Sequence, residues 1–226
     1  MLDFNERQNS EIEQLVVLIK QLNLKGHNLA TSGNYSLYFE SMGDYALVSE
    51  SGIDKAHFSH NHLLPVHRKT KLIFNGPAYM GRKSSDETAV HLAIYNNTGA
   101  GCVLHSHFAE SLLFARLHTG KEVITLTGLE MIKAFKGIKS HEENFMFPVF
   151  ENTQDMDLLG QKLDIVLKSY PKTYAIMLRD HGIYVWGATV QEAKRHLEAF
   201  EYIFKFFVAL EAMQPYLDTR NKRKIL

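Results

Sequence analysis

Apolar residues recur along this chain with two periods, and the changes of period mark out its elements. Ile12, Leu15, Val16, Ile19 and Leu22 follow one another at three- and four-residue steps, the stripe of an amphipathic helix on a core. Gly26 stands where such a helix ends. After Thr31-Ser32-Gly33-Asn34 the pattern turns to alternation. Tyr35 to Phe39 and Tyr45 to Val48 predict two strands joined at Met42-Gly43-Asp44. Lys71 to Phe74 and Ala78 to Met80 flank Asn75-Gly76-Pro77 and predict a hairpin. Ser84 with Glu87 makes a capping box that opens a helix reaching to about Asn96.

The apolar run Cys102-Val103-Leu104 ends in His105-Ser106-His107, and Ser106 to His118 reads as helix. Val123 to Leu126 is a short strand. Thr127 with Glu130 repeats the capping box ahead of a helical Met131 to Phe135. Phe145 to Phe150 is a strand, and Asn152 to Asp155 caps a helix from Met156 to Tyr170 that Pro171 ends. Tyr174 to Leu178 and Ile183 to Gly187 predict paired strands. A third box, Thr189 with Glu192, opens a long last helix with Phe200, Ile203, Phe204, Phe207 and Val208 on its core face. Tyr202 and Phe206 lie off that stripe and predict a second apolar face against another subunit. The basic tail 219–226 is expected to be loose. No linker, repeat or low-complexity segment divides the chain, which predicts one α/β domain over residues 1–226 with a mixed sheet between helices.

Composition narrows the function classes. Lys and Arg total 25 and so do Asp and Glu, so no global charge draws the chain to nucleic acid or a membrane surface. No apolar run approaches the ~18 residues of a membrane span. The first residues lack a basic region followed by an apolar one, which predicts a cytoplasmic setting. The single cysteine, Cys102, excludes an intrachain disulfide and any Cys-rich zinc finger.

Histidine is where chemistry gathers. On an extended strand residues i and i+2 share a face, so His105 and His107 project together, as half of a tetrahedral zinc shell. The partner expected is His181, in Arg179-Asp180-His181-Gly182 directly after another apolar run. Strand-end histidines also serve simply to bond a carbonyl, and spacing does not separate the two readings. His57, His60, His62 and His67 crowd near Pro65, but no apolar period holds them on one face, which predicts a solvated loop or sheet edge. The small residues of Thr31 to Asn34, Ser51-Gly52 and Ser84-Ser85 either cradle an anion with backbone N–H groups or simply make turns. Glu87 and Glu130 each read as a helix cap, or as a carboxylate near a metal and a general acid/base respectively.

Gly99-Ala100-Gly101-Cys102-Val103-Leu104-His105-Ser106-His107, Gly128-Leu129-Glu130-Met131-Ile132-Lys133, Pro148 to Thr153 and Arg179 to Gly187 together resemble the class II aldolase/adducin family. The resemblance runs from Ser32-Gly33-Asn34 to the last helix. It is strongest to the members that dehydrate 5-methylthioribulose 1-phosphate to 2,3-diketo-5-methylthiopentyl 1-phosphate in methionine salvage. It implies a three-layer α/β/α fold with a mixed, largely antiparallel sheet, and a homotetramer with sites near subunit boundaries. It further implies one Zn2+ per subunit on His105, His107 and His181, with Glu130 as the catalytic acid/base. Substrate contacts are expected at Glu87, Ser32, Gly33, Asn34, Ser51, Gly52, Ser84 and Ser85, with Lys83 nearby. The alternatives within the family are a fuculose- or ribulose-phosphate type aldolase or epimerase and a non-catalytic, adducin-like scaffold.

Overall fold

A computed structural model describes residues 4–223. Helix α1 (Glu6–Leu24) opens with a capping box between Asn5 and Gln8 and buries Leu15, Ile19 and Leu22. Strands β1 (Asn34–Leu37), β2 (Tyr45–Ser49) and β3 (Leu63–His67) follow, then α2 (Thr88–Asn97), β4 (Cys102–Ser106) and α3 (Ala109–Leu117). Next come β5 (Val123–Leu126), β6 (Phe145–Phe150), α4 (Met156–Ser169), β7 (Ala175–Leu178), β8 (Gly182–Gly187) and α5 (Val190–Arg223).

The eight strands form one sheet in the order β3-β2-β1-β4-β8-β7-β6-β5. Every neighbouring pair is antiparallel except β6 with β7, which is parallel. Period-two alternation divides the buried side chains between two cores. Leu37, Cys102, Leu104, Ile183 and Val185 face the residues of α1, α3 and α5. Val48, Val103, Ile176, Tyr184 and Trp186 face those of α2 and α4. The result is a helix–sheet–helix sandwich with β4 and β8 buried on both faces at its centre. Phe200 and Phe204 of α5 are fully buried, and removing either ring would cost about 3–5 kcal/mol. No helix among the described residues is long and apolar enough to cross a membrane.

Local expectations fail where a long-range partner outbids a nearby one. The hairpin around Asn75-Gly76-Pro77 does not form. Ile73 bridges to Val66 and the Phe74 N–H donates to the Pro65 carbonyl, so this segment lies along the edge strand β3, while Pro77 heads a short 3-10 turn. Pro65 is tolerated there because β3 is at the sheet edge, where its missing donor costs no ladder bond. The Ser84 capping box is absent too, since Glu87 carries no cap bond. Thr127 caps nothing either: residues Glu130–Ala134 form a 3-10 turn headed by Leu129. The third box is close to expectation, with the Glu192 N–H donating to Thr189 Oγ1 and the Glu192 carboxylate accepting from the Ala188 N–H. Helix α5 continues through Arg223, where a loose tail from residue 219 was expected. Residues 224–226 of that tail lie outside the described residues.

Candidate metal centre

The sheet register places His105 of β4 opposite Tyr184 of β8, and the two rings stack at 3.9 Å. His107 follows two residues on, past the strand end, and its Nε2 lies 2.6 Å from His105 Nε2. The turn from β7 into β8 delivers His181, whose ring centroid is 5.0 Å from that of His105 and 4.7 Å from that of His107. Gly182 is required at this turn. A Cβ there would lie 2.4 Å from the Ser106 carbonyl oxygen and 2.8 Å from the His107 ring. The start of α2 brings in Glu87, with one carboxylate oxygen 3.1 Å from His105 Nε2 and the other 2.9 Å from His181 Nε2. Ligand atoms of Glu87, His105, His107 and His181 all lie within 4.8 Å of one another.

The donor set fits a divalent cation. His105 Nδ1 donates to the Ile183 carbonyl at 3.1 Å, and His181 Nδ1 donates to Asn152 Oδ1 at 3.1 Å. Each bond puts the proton on Nδ1 and leaves the Nε2 lone pair turned inward, the orientation that outer-shell acceptors give ligating histidines. Three imidazole nitrogens with one carboxylate oxygen are ordinary zinc donors. Burial pushes the His105 imidazole well below its ordinary pKa against the opposing pull of Glu87, and pushes His107 down to about 4. Burial works against ionising Glu87, but His105, His181 and Asn34 outweigh it and hold the carboxyl far below the usual range. Burial thus favours the neutral form of His105 and His107.

The other expected site residues divide. Asn34 is drawn into the centre, donating to Glu87 Oε2 at 2.5 Å. Gly33, at φ +73°, passes so close that a Cβ would lie 3.0 Å from the His105 carbonyl oxygen. Ser51, Lys83, Ser84 and Ser85 form one stitched edge: the Ser51 N–H donates to Lys83 O, the Ser85 N–H donates to Ser49 O, and Glu50 bridges to Ser84. Ser32, Ser51 and Gly52 remain accessible beside it. The Lys83 ammonium is exposed and paired with Asp86 at 2.6 Å. Glu130 is not brought into the cluster. Its side chain is 72% exposed, bonded to Lys133 and 3.7 Å from His141.

Four residues acting here were missed by sequence reading. Tyr184 donates its hydroxyl to Glu87 Oε2 at 2.8 Å, Asn152 orients His181, and His91 bonds Asn34 at 2.5 Å. The fourth is Lys55, 2% exposed, whose ammonium donates to the carbonyls of Thr31 and Ile53 and so ties the loop holding Ser32 to the loop holding Ser51 and Gly52. Burial pushes its pKa down to about 8, and no carboxylate among the described residues lies within 4.0 Å of it. The only sequence signal for any of these was the four-residue step Glu87, His91, Tyr95 along α2. A cavity of about 740 Å³ opens between β6 and α4; Asn152 lines it but none of the four donors does.

Comparison with known proteins agrees with this picture. Residues 13–208 match the family described as Class II Aldolase and Adducin N-terminal domain. A Picosynechococcus protein named methylthioribulose-1-phosphate dehydratase is 36% identical over 209 residues, covering 92% of this chain and 96% of its own. A Xanthomonas euvesicatoria protein of the same name is 36% identical over 192 residues, 84% of each chain. Among solved structures, an l-fuculose-1-phosphate aldolase from Thermus thermophilus superposes with a TM-score of 0.64 at 20% identity, covering 93% of this chain and 98% of that one. A sugar-phosphate aldolase from Thermotoga maritima gives 0.66 at 17% identity, covering 92% and 97%. At such identities these two likenesses speak for the fold.

Proposed function

Because the chain belongs to the class II aldolase and adducin family, we propose that it is a methylthioribulose-1-phosphate dehydratase, a lyase of methionine salvage. It removes water from 5-methylthioribulose 1-phosphate and yields 2,3-diketo-5-methylthiopentyl 1-phosphate. The observation that carries this reading is the convergence of His105, His107, His181 and Glu87 in a chain whose relatives bear that enzyme's name.

The chemistry removes a proton from C3, next to the C2 ketone, and expels the C4 hydroxyl; the resulting enol then becomes the diketone. His105, His107 and His181 would hold the ion, one Zn2+ per subunit, with Glu87 beside it. Bound there, it supplies Lewis-acid stabilisation of the charge that grows on the ketone oxygen. Glu130 takes the C3 proton and returns it to the departing hydroxyl. It is accessible, so its carboxylate is open to take up the proton and, once protonated, to give it back. The phosphate rests on Ser32, Gly33, Ser51, Gly52, Ser84 and Ser85, with the buried Lys55 charge behind those loops and Lys83 at their rim. Asn34 serves Glu87 rather than the phosphate.

The catalytic unit is a homotetramer in the cytoplasm. Support for assembly comes from α5, where Tyr202, Phe206 and Met213 are exposed beyond the core-facing stripe. The test is direct: incubate the zinc-loaded protein with 5-methylthioribulose 1-phosphate and follow the ultraviolet-absorbing diketone or enol. Release of a triose phosphate instead, or reaction only with fuculose or ribulose phosphates, makes it an aldolase or epimerase. A folded preparation that neither binds zinc nor turns over is a scaffold.

A further inference from the structure

Behind Glu87 lies a chain of hydrogen bonds that the dehydration scheme does not use. Glu87 Oε2 accepts from Asn34 Nδ2 at 2.5 Å, and Asn34 Oδ1 meets His91 Nε2 at 2.5 Å. His91 Nδ1 meets Ser36 Oγ at 2.6 Å, and Ser36 Oγ meets the Tyr95 hydroxyl at 2.7 Å. Ser36 and His91 are 0% exposed, Tyr95 4% and Asn34 7%, so water does not substitute for any link. Glu87, His91 and Tyr95 fall at four-residue steps and so share one face of the α2 turn, while Asn34 and Ser36 alternate onto the same face of β1.

Donor and acceptor chemistry dictates which way the protons point. A carboxylate only accepts, so Asn34 must present its NH2 to Glu87 and its carbonyl to His91. A carbonyl only accepts, so His91 carries its proton on Nε2. The neutral ring then accepts at Nδ1 from the Ser36 hydroxyl, whose oxygen accepts from Tyr95. Every proton in the chain is directed toward Glu87. Aligned bonds of this kind polarise one another in a low-dielectric interior.

We propose that Tyr95, Ser36 and His91 are positioning residues, a one-way chain that locks the Asn34 amide and through it presents Glu87 to the metal centre as a fixed, ionised acceptor. Without His91 the buried Asn34 carbonyl loses its donor, and the amide is held from the Glu87 side alone. The opposite pattern, with the His91 proton on Nδ1, would reverse Ser36 and leave Asn34 Oδ1 without a donor from the ring.

The inference rests on reading the cluster as a cation site, but its tests are separate from that reading. In metal-free protein, 15N NMR should show His91 protonated on Nε2 and bare on Nδ1. Titration with Zn2+ against a competing chelator should show that His91→Leu weakens binding by about 10- to 100-fold, the range for lost outer-shell partners. His91→Gln, whose amide can donate to Asn34 and accept from Ser36, should recover most of it. Tyr95→Phe, which keeps the ring and deletes one hydroxyl, should give a smaller fall in the same direction. A His91 proton on Nδ1 overturns the proposal, and so do His91→Leu and Tyr95→Phe proteins that fold and bind Zn2+ like the parent. A parent that binds no Zn2+ defeats the metal reading instead, and leaves the NMR result to decide the direction of the chain.

Discussion

The stretch from His57 to His67 and the set His105, His107 and His181 hold much the same chemistry and come to different ends. The first is dense in sequence but lies along two 3-10 turns and the edge strand β3. Two of its rings find local partners: His62 Nδ1 accepts from the Ser59 N–H, and His67 Nδ1 accepts from the Lys69 N–H while its ring meets Tyr45 edge-on. The second set is scattered in sequence yet meets within a few ångströms, because β4 and β8 are central neighbours and both reach the same edge. The centre comes from rigid convergence, with acceptors behind His105 and His181. Histidine density alone supplies neither.

Four measurements sharpen or break that contrast. His107→Ala should lose zinc and turnover, since it removes one of the three imidazoles that converge at the centre. Full zinc content by metal analysis would refute the centre. Glu130→Gln should keep zinc and fold while losing about 10²–10⁴-fold in kcat, the usual worth of general acid/base help. Near-normal turnover would move that role to Glu87.

The pH dependence of stability separates the two regions as well. Burial pushes His91 down to about 4, from 6.5 for an unperturbed ring. The unfolded chain therefore takes up a proton in a range where the folded one refuses it. Stability is full above pH 6.5 and falls as pH drops toward 4, by on the order of 3 kcal/mol from this group. Urea midpoints of the metal-free protein across that window should show the slope, and His91→Gln should reduce it, His105 and His107 supplying the remainder. An unchanged slope in the variant would assign it elsewhere. The smallest effect belongs to the edge: His57→Ala with His60→Ala should leave zinc content unchanged and stability within about 0.5 kcal/mol. A loss of zinc in that pair would make the edge part of the site.

The two carboxylates repeat the lesson. Ser84-Ser85-Asp86-Glu87 and Thr127-Gly128-Leu129-Glu130 carry the same capping pattern, and neither caps. Glu87 turns inward because Asn34 and Tyr184 offer it two donors in a dry setting, and a carboxylate there with its donors unused would be costly. Glu130 stays at the surface with Lys133.

Read alone, the residues determined the order and kind of most elements, β3 and the segment 71–80 excepted, and the histidines that meet at the strand ends. Those features follow from periods of 2 and 3.6, which are local properties of the backbone. The resemblance of four motifs supplied the family, the donor set and the reaction. Only the tertiary structure decided that Glu87 completes the cluster, that Asn152 and Tyr184 orient it, and that Lys55 and His91 lie behind it. Each of those choices is between hydrogen-bond partners far apart in sequence, and burial decides them by making an unpaired polar group too costly to keep.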